Sequence, residues 1–514
     1  MAARTLRELG HRPMVFERRG AVGGLVRRHV EDGHIFDLGA NYVVAGHRRI
    51  RRLARQLCWK TTREASFHGL RFRDPEHAEP GQPLESFPVY EPIVRAEPSK
   101  LALLRKAARY ILLRRRLRSI IDRPGWSHLA DSEEGRAIAG MTFLDWLRSH
   151  DLEVLAPSFE IPVSIMGYGA LDRIPAPYVL RHVDAQTYAG MLLRKVLPIP
   201  ALQWPRRFER GYYGLWEQVA GDLDVRLNAS VQRIVRRDDG VTVFFRERRQ
   251  AGDVDILGEL QQLEFDALVM ACVPFPGNLG DGVLELCDDE LRLFRQVRRQ
   301  RYAVATVRAD LPDRWGVGIW CHYPFGGAGW RPWAFVRQYE GSDVLQFYAL
   351  LEADEPVPFT CEPEPEVVAH APAWDPDVVE RAGLTAELAS AAATRVELPP
   401  HDGDPATHWC RTVRTVPPEL EYKLVRAHVM DTISRYVRGF GATVRPSELS
   451  TLNIWSYFHH VPPELFSAFF KDLEQLQGQR RTFYTGGFAS FELVNSAICH
   501  AEDLMQRHFP RCRS

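Results

Sequence analysis

The chain has 514 residues, more than one hydrophobic core usually holds, so two domains or one large interrupted domain are expected. Its 66 basic and 66 acidic residues balance, which argues against a protein that coats nucleic acid or grips an acidic partner through bulk charge. The eight cysteines (58, 272, 287, 321, 361, 410, 499 and 512) form no Cys-x-x-Cys pair, no apolar run approaches the roughly 20 residues that span a membrane, and no signal peptide opens the chain, so reduced thiols and a cytoplasmic location are expected, without zinc or disulfides.

Ala2, Ala3, Leu6 and Leu9 give a helical apolar face, Gly10 ends it, and Met14-Val-Phe16 reads as a short strand ending on Glu17. That is the second half of a β-α-β dinucleotide-binding unit. Such a unit opens with a strand and a Gly-x-Gly-x-x-Gly turn whose backbone approaches a pyrophosphate. An acidic residue about 20 positions further on binds ribose hydroxyls. Glu17 stands in the acidic place and no such turn precedes it, so that strand and turn are expected roughly 15–30 residues upstream of Met1.

Residues 48–200 read as mostly helical and rich in arginine. Between Lys100 and Asp122, Arg105, Lys106, Arg109, Arg114, Arg115, Arg116 and Arg118 alternate with leucines. The plain reading is a solvated face whose long side chains lie over apolar surface, and it is preferred here; the alternative is a helix lying on a membrane. Six prolines make 74–98 an irregular connection. Phe208–Gly221 reads as a turn feeding a helix, with Tyr212, Tyr213 and Trp216 as packing. Val225–Val235 alternates with the period of a strand, Asp238-Asp-Gly240 is a hairpin turn, and Val241–Phe245 returns. Phe265–Ala271 is a buried strand. Tyr302–Val307, Trp333–Gln338 and Val344–Leu351 suggest an antiparallel sheet, 352–376 an exposed acidic loop, and Glu419–Phe440 a helix. The chain ends with a strand and turn around Tyr484-Thr-Gly-Gly487, then a helix with Leu493, Val494, Ala497, Ile498, Ala501, Leu504 and Met505 on one side. There is no metal-ligand spacing, no Ser-His-Asp arrangement and no phosphate loop.

Three separated segments now speak together: Val15–Gly24 with Phe36–Tyr42; Gly211–Trp216 through Asn228–Val231 to Asp266–Ala271; and Tyr484–Gly487 with the helix after Leu493. In order and spacing they resemble the flavin-containing amine oxidase family, which takes in phytoene desaturase-like and protoporphyrinogen oxidase-like enzymes. More finely, Trp455–His460 and Phe483–Glu492 resemble secondary-metabolite oxidases.

The resemblance implies an α/β protein with FAD as cofactor. Its Rossmann-like FAD-binding domain would be built from 1–50, 205–285 and 475–514, lacking its first strand and Gly-rich turn. An α+β substrate domain with an antiparallel sheet would come from 51–204 and 286–474. It implies that Glu17, with Arg18 beside it, meets the adenosine ribose, and that Gly23 and Gly24 leave room for the pyrophosphate. Gly39, Ala40, Asn41 and Tyr42 would line the ribityl chain and ring edge, the main chain of Val231 would pair with adenine, and Gly486 and Gly487 would approach the ribityl-phosphate. The family usually carries Glu or Asp at the second of these two positions, so one side-chain hydrogen bond of its pattern has no counterpart at Gly487. The helix beginning near Val494 would aim its positive end at the flavin. No cysteine stands in that turn for a covalent flavin link.

The expected activity is removal of a hydride from a C–N or C–C bond of a small apolar substrate, with electrons passed to oxygen or another acceptor. No catalytic residue is assigned. Trp455, Tyr457 and His459 would share one strand face and wall the pocket, with Phe458 and His460 on the other. A nicotinamide-dependent dehydrogenase and a non-catalytic binding protein without a phosphate cradle stay open as alternatives.

Overall fold

The computed structural model describes all residues except 73–82, 165, 194–204, 252–253, 275–282, 313–314, 324–331, 357–375, 388–393, 398–409, 414–417, 440, 442 and 513–514. Most of the expected acidic loop and residues 74–82 of the proline-rich connection fall outside the described residues.

Two parallel strand pairs form the dinucleotide-type layer. Met14–Phe16 runs beside Asp224–Arg226, and Leu268–Met270 beside Thr482–Tyr484. The apolar stripe of Ala2–Glu8 packs on the C-terminal helix Val494–His508 through Leu6, Leu504 and Met505, with Phe483 in the same cluster. Flanking this layer is a three-stranded antiparallel sheet of Ala229–Arg236, Val241–Ala251 and Val254–Phe265. The run read as one strand, Val225–Val235, is therefore two. Asn228 takes a left-handed backbone (φ 55°), which Asn tolerates, and turns the chain from the parallel pair into the antiparallel sheet. Two hydrogen bonds tie this corner to the end of the first strand: Asn228 N–H to the Arg19 carbonyl and Ala229 N–H to the Glu17 carbonyl, each 2.9 Å.

A seven-stranded sheet makes the second layer, in the order Thr443–His460, Arg298–Asp310, Val344–Pro356, Pro332–Arg337, Gly318–His322, Phe67–Phe72, Leu84–Pro88. The three runs expected as antiparallel strands lie within it. Its last two strands correct the helical reading of 48–200: they are short, and they are held by Leu70 and Leu84 in the sheet core rather than by any long periodic pattern. Period-two alternation sorts the sheet's two faces. Ala303, Ala305, Val307 and Ala309 pack under Val425, Val429, Ile433 and Val437 of the helix Pro418–Gly439. Tyr302 and Val304, with Ile319, Val336 and Tyr348, turn to the opposite face, toward Leu38.

Between residues 91 and 193 the described chain is mostly helical. Ser99, Ser132 and Thr142 accept backbone N–H groups at the starts of Lys100–Arg116, Glu133–Ala139 and Phe143–Ser149. Tyr110, Trp126, Trp146, Phe159, Tyr178 and Tyr188 are all under 2% exposed and form the centre of this region's core.

Candidate functional site

The loop Asp37–Tyr42 lies over the sheet face that carries Tyr302 and Tyr348. Strand His34–Asp37 delivers it, and two anchors hold it down. Both carboxylate oxygens of Asp37 accept the Tyr212 N–H at 2.9 Å, and the Gln346 side chain donates to the Asp37 carbonyl at 3.0 Å. Burial pushes the Asp37 carboxyl up to about 7, against the lowering effect of the Tyr212 and Tyr213 N–H groups. Asn41 donates to the Tyr348 hydroxyl at 3.2 Å. Tyr42 faces His182, 3.4 Å from hydroxyl to Nε2, and burial brings that imidazole down to about 4.

A small cavity of about 20 Å³ lies between this loop and the sheet. Met166, Ile319, Ala334 and Val336 give it apolar walls, and Asp37, Asn41, Tyr42, Glu64, Arg207, Gln338, Gln346 and Tyr348 supply its polar ones. Of the residues singled out in the sequence, Asn41 and Tyr42 line it. The strand residues Ile319, Ala334, Val336, Gln346 and Tyr348 escaped notice. Alternation along their strands was the available signal, but it tells which residues share a face, not which face meets the loop.

Among the described side chains, the residues expected to wall a pocket do not line this cavity. Trp455 is buried with Leu38 and Tyr302, and its indole N–H donates to the Leu38 carbonyl at 2.7 Å, so it supports the loop from below instead of lining the cavity. Trp455 pairs with Tyr302 and Ser456 with Arg301, but His459 pairs with Arg299, so Tyr457 and Phe458 together oppose one partner position. This bulge breaks the strict alternation that would put Trp455, Tyr457 and His459 on one face. The Tyr457 side chain lies outside the described residues. His459 turns to Glu492 (Nδ1 to Oε1, 2.6 Å), and Phe458 stacks on His460.

Of the cofactor candidates, Asn41 and Tyr42 line this cavity, and the others take the following places. Glu17 ends its strand and accepts the Arg19 N–H at 2.9 Å. Arg18 and Glu17 lie close enough to Cys272 to influence its thiol, which burial raises to about 11. Gly486 (φ 100°) fits against the Ala271 carbonyl, where a Cβ would sit 2.5 Å from the oxygen. Gly23 (φ 114°) turns tightly under Val26, and next to it a Cβ on Gly24 would meet no atom within 4 Å. Ala40 and Val494 pack on one cluster with Trp59 and Tyr213. Val231 pairs with Phe245 at a bulge and packs on the large core.

These residues fit a pyrophosphate-bearing dinucleotide. Arg18, Arg19 and Arg27 crowd the Glu17–Arg27 loop, and burial followed by mutual repulsion lowers the pKa of Arg27. A polyanion would relieve that repulsion. The helix Val494–His508 has no side-chain cap and no acidic residue in its first turn. Its Asn495 instead accepts the N–H groups of Arg49 and Ile50, at the start of the helix Arg48–Gln56. Ser496 N–H turns back to the Leu493 carbonyl at 2.8 Å, so the N–H groups of Val494 and Asn495 are the ones aimed out of the helix start, where an anionic or electron-rich partner would meet them. Among the described residues no group of three or more His, Cys, Asp or Glu side chains is placed to hold a metal ion, and no helix is long and apolar enough to cross a membrane.

Comparisons with known proteins agree with this geometry. No curated protein matches the sequence. The fold is similar to the CLA-producing fatty acid isomerase of P. acnes, with a TM-score of 0.67 at 17% identity over 99% of this chain and 95% of that one. It is also similar to a putrescine oxidase redesigned in its cofactor binding (TM-score 0.55, 14% identity, 98% and 96% covered). A third similar structure is cyclohexylamine oxidase of Brevibacterium oxydans IH-35A (TM-score 0.53, 13% identity, 98% and 94% covered). The family model for flavin containing amine oxidoreductases matches residues 1–279, more than half of the chain. The protein is therefore a member of the flavin-containing amine oxidoreductase family, an FAD-dependent oxidoreductase with the Rossmann-like fold of that family.

Proposed function

We propose that the protein removes a hydride from a C–N or C–C bond of a small, largely apolar substrate bound between the Asp37–Tyr42 loop and the sheet. The observation that carries this reading is the cavity's division into an apolar side, Met166, Ile319, Ala334 and Val336, and a polar side around Arg207, Gln338 and Gln346. FAD supplies the two-electron acceptor when bound. Glu17, with Arg18 beside it, is the candidate for the ribose, the Gly23–Gly24 turn and its arginines for the pyrophosphate, and the Val231 main chain for adenine. Gly39–Tyr42, Gly486 and Gly487 are the candidates for the ribityl chain, and the N-terminus at Val494 for the ring's pyrimidine edge. Discontinuous segments 1–50, 205–285 and 475–514 then make the cofactor domain.

The chain's own residues orient the substrate. The apolar floor holds its body and excludes water. Arg207 lies over the Tyr339 ring at 5.0 Å, which fixes one polar end of the cavity. Burial keeps the Tyr348 phenol protonated, as a donor or acceptor beside Asn41. Trp455 holds the loop's height above the sheet.

Anaerobic stopped-flow flavin reduction tests this, with cyclohexylamine, putrescine and a polyunsaturated fatty acid as probes. Substrates with an apolar body should bleach the flavin faster than the doubly charged putrescine. Met166→Trp, which fills the apolar side, should slow bleaching at least about tenfold with FAD content unchanged. Preference for putrescine, or wild-type bleaching by Met166→Trp, overturns the assignment.

A further inference from the structure

The helix Lys100–Arg116 carries two apolar stripes. One faces inward through Leu103, Ala107 and Tyr110. The other is Leu101, Leu104, Ala108 and Leu112, a spacing of three and four residues that sets them on one outward face. Leu101, Leu104 and Leu112 are 57%, 66% and 64% exposed, so no arginine stem covers them. The long basic side chains therefore do not shield these three leucines. At 1.5 Å per residue the stripe runs for about 16 Å, three turns of helix.

Cations border it. At about 100° per residue, Arg105, Arg109 and Arg116 flank the leucines on one side and Lys100 and Arg115 on the other, all exposed. Helix-terminal stabilisation accounts for arginines in the last turn, Arg114 to Arg116, but not for Arg105 and Arg109. The inward and lateral cations are engaged, Arg114 with Asp122 and Lys106 with Asp151 at 2.7 Å, and of the bordering ones Arg116 reaches Glu134 at 3.8 Å. Among the described residues no carboxylate lies within ion-pair distance of Arg105, Arg109 or Arg115. Past the helix end, Arg115, Arg116, Arg118, Ser119 and Arg123 line a shallow depression with a single acid, Asp122. In a chain of zero formal charge, this is a local basic field centred on exposed leucines.

We propose that this outward face docks on an anionic phospholipid bilayer, the leucines entering the acyl boundary and the arginines meeting headgroup phosphates. An apolar stripe with basic borders suits that surface: water penalises the leucines, and a neutral protein surface leaves Arg105, Arg109 and Arg115 without counter-charge. The proposal is independent of the substrate assignment above.

Vesicle flotation of the full chain tests it. Neutral phosphatidylcholine vesicles are compared with vesicles in which about a third of the lipid is phosphatidylglycerol, at low and high salt. The protein should float with the anionic vesicles and be released by salt. Leu104→Glu with Leu112→Glu should reduce partitioning more than about tenfold. Arg105→Ala with Arg109→Ala should reduce it about twenty-five-fold, fivefold for each cation. All four side chains are exposed, so melting temperatures should stay at the wild-type value. Failure of the wild type to float with anionic vesicles overturns the proposal. So does undiminished binding by the leucine variant, which would mark charge attraction alone. So does a lipid-free dimer in sedimentation velocity that the leucine variant dissociates, which would make the stripe a contact between copies.

Discussion

Glu492 occupies the space above Gly487: a Cβ at position 487 would lie 2.0 Å from Glu492 Cγ. From there the Glu492 carboxylate reaches His459, with Oε1 2.6 Å from Nδ1 and Oε2 accepting the His459 backbone N–H at 3.1 Å. Phe491 sets this direction with φ at 108°, strained for an L residue and held by its stack on Tyr178. The glycine at a position where the family usually carries an acid thus makes room for a carboxylate from further along the chain. Gly487→Ala should displace Glu492 and cost about 1.5–3 kcal/mol, the value of a hydrogen bond to a charged group. In a Glu492→Ala background the same change should cost under about 1 kcal/mol, because the clash is gone. Urea melts of the four proteins measure the coupling. Additive losses would show that the two positions do not share that space.

Glu17→Ala should weaken FAD binding by about 1.5–3 kcal/mol, roughly a ten- to hundredfold rise in Kd. Glu17 is oriented by the Arg19 N–H and stands beside Arg18, so a dinucleotide ribose would meet a placed acceptor rather than a free one. As a plain solvated carboxylate it would be worth within about 0.5 kcal/mol. Titration of apoprotein with FAD, followed by flavin fluorescence, separates the two values.

Asp37 makes stability fall as pH rises. Its carboxyl moves from 3.8 to about 7 on folding, so between those values the folded state holds a proton that the unfolded chain has lost. Stability is then full below about pH 4, declines through the window and levels off above about pH 7, with a total change of a few kcal/mol. His182 and His500 act with the opposite sign. Burial lowers them to about 4 and about 3, so their contribution is present above the usual imidazole value and is lost as pH falls through the folded ones. The difference between wild type and Asp37→Asn isolates the carboxyl, since the amide oxygen can still accept the Tyr212 N–H. Urea melts at pH 5 and pH 8 should show wild type losing stability relative to the variant. A difference that does not change with pH removes Asp37 from this role.

Much of the cofactor half was legible because its signals are local. A helix stop at Gly10, a three-residue strand and the acid at Glu17 sit within one short stretch, and the fold keeps them in that order. The sheet strands 302–307, 333–338 and 344–351 were legible from β-branched and aromatic runs. Phe67–Phe72 and Leu84–Pro88 were not, because each pairs with a neighbour set by tertiary contacts, Gly318–His322 and one another. The cavity was hidden for the same reason. Ile319, Ala334 and Tyr348 look like ordinary strand residues until the Asp37–Tyr42 loop is laid over them. The place of Trp455 was not legible either: an aromatic near a flavin segment can wall a pocket or prop a loop, and its hydrogen bond to Leu38 is a tertiary contact.

A buried charge network fixes the strand that leads to Gly486, and breaking it by halves should cost more than removing it whole. The Arg236 and Glu290 side chains are 1% and 2% exposed. They pair through two bonds of 2.6 and 2.8 Å, and the Tyr484 hydroxyl donates to Glu290 at 2.5 Å. Glu290 also accepts the Cys287 N–H at 2.9 Å, closing the start of the helix Asp288–Phe294. Strand, sheet and helix thus meet at one carboxylate. Glu290→Leu should strand the guanidinium of Arg236 in apolar surroundings and cost about 3–5 kcal/mol. Arg236→Met with Glu290→Leu and Tyr484→Phe removes all three side chains of the network together, leaving the Cys287 N–H as the donor that loses its acceptor, and should recover to within about 2 kcal/mol of wild type. Because Thr482–Tyr484 positions Gly486 against Ala271, the single variant should also lose FAD affinity and the triple variant regain it. Denaturant melts with FAD titration on both proteins test the scheme, and a triple variant less stable than the single one would show that the network stabilises the fold outright.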